Sequence, residues 1–91
     1  MILGTHVKQP SEVLDYDIDY SDWLPSGDDI SSAAVTAETG ITVDSSTVVG
    51  QRVKIWMSGG TNGTTYKVTC KATTDAGRVK EAEIKIKVKE F

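Results

Sequence analysis

The chain has 91 residues, a formal net charge of −3, 38% hydrophobic residues and 25% charged ones. That length is one domain, which buries roughly 60–70% of its unfolded surface and folds with little stability to spare. The single cysteine excludes an internal disulfide, no segment approaches the roughly 20 apolar residues of a membrane helix, and Met1–Lys8 lacks an apolar run of signal-peptide length.

No window keeps the i, i+3, i+4 apolar stripe of a helix, so the expected elements are strands. Residues 1–11 read as an extended N-terminal arm that Pro10 keeps from continuing as a regular element. Residues 12–91 read as a single sandwich domain. Segment 13–20 alternates, with Leu14, Tyr16, Ile18 and Tyr20 on one face and Asp15, Asp17 and Asp19 on the other. Pro25-Ser26-Gly27-Asp28 is a turn. The 29–37 strand changes parity between Ile30 and Ala33, which predicts a bulge. Ile41-Thr42-Val43 is a short strand turned by Asp44-Ser45-Ser46, and Thr47–Gly50 is a brief extended piece. Arg52–Ser58 and Thr64–Thr74 alternate around Gly59-Gly60-Thr61-Asn62-Gly63 and read as a hairpin. Asp75-Ala76-Gly77 turns into a last strand, Arg78–Glu90, with Ile84, Ile86 and Val88 inward and Lys85, Lys87 and Lys89 outward. The three strands from Arg52 to Glu90 are predicted to form a meander, its lysines discouraging edge pairing. About seven short strands with frequent turns predict an all-β, immunoglobulin-like antiparallel β-sandwich.

Charge is unevenly distributed. Residues 1–50 carry one cation, Lys8, and nine acids; residues 51–91 carry nine cations and four acids. Two readings follow. Acidic and basic strands compensate within one molecule, or complementary faces meet head to tail between copies.

Catalytic patterns are missing. His6 is the single histidine and lies in the arm, so no Ser/His/Asp or Cys/His set can be built around the core. Zinc lacks ligands. Asp15, Asp17, Asp19 and Asp22 suggest calcium, but their alternation with Tyr16, Ile18 and Tyr20 places them along a strand without the glycine turn of a calcium loop. The glycine-rich 59–63 segment lacks the Gly-Lys-Ser/Thr ending of a phosphate loop and precedes a strand, not a helix. Cys70 lies on the apolar side of its strand, as a buried thiol. No cofactor, metal or small-molecule substrate is expected. Nucleic acid is not expected either, because Lys85, Lys87 and Lys89 are interleaved with Glu81, Glu83 and Glu90 in an acidic domain.

Trp56 shares parity with Arg52 and Lys54, so it falls on the outer face, either packed there or serving as an interface anchor. Trp23 ends the acidic strand and either caps the core or faces a partner. Arg52, Lys54, Trp56, Trp23, Asp15, Asp17 and Asp19 are therefore the candidate interface residues.

The order of residues carries a further signal. Lys8-Gln9-Pro10-Ser11-Glu12-Val13-Leu14-Asp15-Tyr16 is followed by Asp19-Tyr20-Ser21-Asp22-Trp23-Leu24, Asp29-Ile30 and Gly40-Ile41-Thr42-Val43. Then come Trp56-Met57-Ser58-Gly59-Gly60-Thr61, Gly63-Thr64-Thr65-Tyr66 and Thr74-Asp75-Ala76-Gly77-Arg78. This succession resembles small tailed-phage structural proteins of the fibre–tail adaptor family. The resemblance implies an immunoglobulin-like sandwich in a phage or prophage particle, with no catalytic residues to carry over. The expected partners are other particle proteins and, from the uneven charge, copies of itself; from charge and hydropathy neither nucleic acid nor membrane is expected. The expected location is the host cytoplasm during assembly, then the virion. The rival reading is a bacterial Ig-like adhesion module, which would carry a signal or sit within a longer repeat chain.

Overall fold

The computed structural model describes residues 2–90, with side chains from residue 4 onward. Seven strands follow one another: β1 Ile2–Lys8, β2 Leu14–Asp19, β3 Ile30–Ala37, β4 Ile41–Val49, β5 Arg52–Gly59, β6 Thr65–Thr74 and β7 Val79–Val88. Sheet A has the order β1-β7-β6-β3 and sheet B the order β2-β5-β4. All neighbours are antiparallel except β1 and β7, which are parallel. The chain is therefore an all-β sandwich. Its partition of β2, β5 and β4 against β3, β6 and β7 is that of an immunoglobulin constant-type domain, with the first strand moved to the edge of the opposite sheet.

Period-two sequence produces this packing directly. In β6, Tyr66, Val68, Cys70, Ala72 and Thr74 are buried, while Lys67 and Lys71 are exposed. In β5, Val53, Ile55 and Met57 are buried and fully enclosed. They meet Ile84, Ile86 and Val88 of β7 in one core cluster. Each such side chain contributes about 1.5–3 kcal/mol on burial, and a one-residue slip would turn the whole row to solvent. Tyr20, just beyond β2, ties the sheets polarly as well: its buried hydroxyl donates to the Cys70 carbonyl at 2.9 Å.

The bulge expected in the third strand is present, between Ile30 and Ser32. Four other expectations are corrected. First, Arg52–Ser58 and Thr64–Thr74 do not form a hairpin: β5 lies in sheet B and β6 in sheet A. The 60–64 connection arches across the core edge. Gly60 has φ +99°, and a Cβ there would sit 2.5 Å from Val88 Cγ2, so only glycine passes. The Tyr66 hydroxyl accepts from the Thr61 backbone N–H at 2.9 Å and holds the arch. The meander is accordingly confined to β6 and β7, and β5 instead pairs with β4.

Second, Asp44-Ser45-Ser46 does not end a strand. β4 runs unbroken from Ile41 to Val49, with a register shift between Val43 and Ser45. A bulge absorbs the turn-forming residues. Third, the segment expected as an arm contains β1, which pairs with β7 from Thr5↔Lys85 to Lys8↔Val88. A partner so distant in sequence leaves no local pattern. Fourth, the lysines of β7 do not guard an edge, since β7 lies between β1 and β6.

Lys8 completes the β1 junction. It is fully buried, and its Nζ donates to the carbonyls of Gln9 at 2.8 Å, Pro10 at 3.3 Å and Gly59 at 2.6 Å. Burial lowers its pKa, and Glu12 and Asp44 oppose that shift. At the other end, buried Asp28 accepts from the Ala76 amide at 3.0 Å and from Arg78 Nη1 at 2.7 Å. It pins the 25–28 turn to the β6–β7 turn.

Candidate protein-contact face

Sheet B presents a regular outer face. The β2–β5 register sets Asp15 opposite Trp56, Asp17 opposite Lys54 and Asp19 opposite Arg52. On the other side of β5, Ser45, Thr47 and Val49 stand opposite the same three residues. The residues between them, Tyr16, Ile18, Val53 and Ile55, are buried in the core. The face is thus three columns: carboxylates, a basic column ending in an indole, and hydroxyls ending in Val49. Six of the seven residues expected at an interface lie together here.

Trp56 is 40% exposed and is not part of the core. Its indole is available for contact. Lys54 Nζ lies 3.7 Å from Asp15 Oδ2, with both side chains partly exposed. Such an exposed pair contributes roughly 0.2–1 kcal/mol. Acidic and basic strands therefore compensate in part within one molecule. Among the described residues Asp17 and Asp19 make no ion pair within 4.0 Å. Asp19 Oδ1 accepts from the Ser21 amide at 2.8 Å. That bond and the Ser21 hydroxyl hold its carboxyl below the usual range. A shallow depression of about 100 Å³ opens between Asp17, Val49, Arg52 and Lys54.

Trp23 is not part of this face. It follows β2 and packs edge-on against Tyr20, with ring centroids 6.0 Å apart. Lys80 of β7 places its Nζ 5.6 Å from the ring centroid. Trp23 instead borders a groove of about 370 Å³ with His6, Asp17, Asp19, Asp22 and Ile84.

Among the described residues no three His, Cys, Asp or Glu side chains gather in a metal-binding group. Asp15, Asp17 and Asp19 are strung along one strand. The Cys70 thiol is buried, and burial pushes its pKa up. His6 stacks obliquely on Tyr16 at 5.0 Å. No helix among the described residues is long and apolar enough to cross a membrane. What the face offers is paired and unpaired charge around an accessible indole, which suits protein recognition.

Sequence reasoning missed Lys8 and the β4 column. Lys8 reads as an ordinary surface lysine until Gly59 arrives from far along the chain. The alternation of Ser45, Thr47 and Val49 was readable, but Asp44-Ser45-Ser46 resembles a turn more strongly.

The family model of the Podophage GP4 fiber-tail adaptor protein gp77 matches residues 8–87. The chain belongs to that family. No curated protein matches it.

Proposed function

We propose that this domain is a non-enzymatic adaptor in a tailed-phage particle, joining tail and fibre components by protein–protein contact. The family match over residues 8–87 carries this reading. The outer face of sheet B supports it, because Trp56 and Arg52, residue types that dominate interface energetics, share one outward column of β5. Its partners are other particle proteins, with copies of itself as a second class reached through complementary charge. It assembles in the host cytoplasm and ends in the virion.

The test measures unfolding and particle incorporation on Trp56→Ala. Stability is expected to fall by less than the roughly 3–5 kcal/mol of a core tryptophan truncation, while incorporation drops. A loss of about 3 kcal/mol or more, with incorporation of the folded remainder intact, would place Trp56 in the core and the contact elsewhere.

A further inference from the structure

We propose that the free edge of β2 and the groove beside it receive, by strand addition, an extended segment of another particle protein in which basic and apolar residues alternate. The inference rests on the adaptor reading only for the source of that segment.

β2 is bonded on one side alone, to β5. Its other edge presents backbone N–H and C=O groups that need a partner or water. Natural edge strands are commonly blunted by bulges. The other three edge strands follow this rule: β1 shifts register between Ile2 and Thr5, β3 between Ile30 and Ser32, and β4 between Val43 and Ser45. β2 keeps an unbroken register from Leu14 to Asp19, so it is a regular template.

The groove lies along this edge. Asp17, Asp19 and Asp22 form its rim, Trp23 and buried Ile84 supply apolar wall and floor, and His6 of β1 lines it from the other sheet. None of these three carboxylates is within 4.0 Å of a cation among the described residues.

β5 shows what β2 accepts. Arg52-Val53-Lys54-Ile55 sets its cations opposite Asp19 and Asp17 on the outer face and its apolar residues opposite Ile18 and Tyr16 on the inner one. A strand on the free side meets the same β2 residues and needs the same alternation. Main-chain bonds supply affinity in this mode, and alternate side chains supply specificity.

A second copy is a poor occupant. β2 against β2 would oppose aspartates to aspartates, which destabilises a strand pair. The other alternating basic stretch, Ile84–Lys89, lies mostly in β7, between β1 and β6.

The test titrates the ¹⁵N-labelled full chain with a soluble peptide of about eight residues alternating Lys and Val, as strand addition requires. A control peptide of identical composition has its lysines grouped at one end. The alternating peptide is expected to shift β2 amides and slow their hydrogen exchange. Asp17→Asn with Asp19→Asn, checked for native circular dichroism, should weaken binding roughly five- to tenfold, the size of two exposed ion pairs. Raising salt from about 0.1 to about 1 M, which shortens screening from about 10 Å to about 3 Å, should weaken it further. Thr36→Ala, on an exposed position of β3 at the far edge of the other sheet, should leave it unchanged. Equal binding of the grouped peptide, shifts centred on β4 and β5, no saturation at millimolar peptide, or self-association of the chain through β2 would each overturn the proposal. Those failures leave the adaptor reading and its Trp56 test standing.

Discussion

The outer faces of the two sheets differ in both sign and equipment. Sheet A shows Lys67, Lys71, Lys85 and Lys87 against Glu81 and Glu83, without an aromatic residue among its described outward positions. Lys67 stands directly opposite Lys85, and Lys67 Nζ reaches Glu83 at 3.9 Å. Sheet B shows Asp15, Asp17 and Asp19 against Arg52 and Lys54, with Trp56 beside them. The contrast between the two halves of the chain thus survives as a contrast between faces, but reduced. Strand β5 comes from the basic half and is inserted beside β2 of the acidic half. What distinguishes sheet B is therefore its accessible indole and its regular free edge more than its charge.

That contrast depends on the two sheets being locked face to face, and the arch is the sharpest place to break it. Gly60→Ala combines a positive φ with a Cβ 2.5 Å from Val88 Cγ2. Left-handed backbone and overpacking together should cost about 2–4 kcal/mol, read by urea unfolding. A loss under about 1 kcal/mol would mean that the arch moves freely and does not set the sheet packing.

Lys8 fastens the edge of sheet A to the end of β5, where the arch begins. Lys8→Met strips donors from the carbonyls of Gln9 and Gly59 and should cost about 1–3 kcal/mol. If the methionine variant is as stable as the parent, the burial cost of the ammonium cancels its bonds.

At the opposite end the two layers are tied through Asp28. Burial pushes its carboxyl up, but the Ala76 amide, the Thr74 hydroxyl and Arg78 outweigh that effect and hold its pKa below the ordinary aspartate value. A depressed carboxylate contributes stability above its unfolded pKa, lost as pH falls through the lower folded value. The parent should therefore lead Asp28→Asn at neutral pH, and the two should converge in acid below the ordinary aspartate range. Parallel curves through that range would remove Asp28 from the acid response.

The smallest effect sharpens the surface contrast itself. Lys85→Glu replaces a like-charge pair with an opposite one across from Lys67 and should gain about 0.2–1 kcal/mol, as cross-strand pairs do. The gain should shrink in high salt. A destabilised variant would show that Lys85 is held by neighbours other than Lys67.

Period-two alternation was enough to locate most strands and to sort inward from outward residues, because each strand carries that information in its own side chains. Arg52, Lys54 and Trp56 were placed on one outer face, with Asp15, Asp17 and Asp19 on a face of their own strand. The sequence could not say that these two rows are neighbours. The same limit explains the hairpin expected at 59–63: a glycine-rich break between two alternating strands looks alike whether the chain folds back or crosses to the other sheet.

By itself, then, the sequence determined an all-β domain, its inward and outward residues, the bulge near Ile30 and its family. Tertiary structure decided which strands are neighbours. It enlisted residues 2–8 as an edge strand, buried Lys8, put Trp23 on a groove apart from Trp56, and left β2 with a regular free edge. The physical reason is range: side-chain alternation is a property of one strand, whereas pairing, arch direction and edges depend on backbone bonds and packing between residues as far apart as Lys8 and Val88.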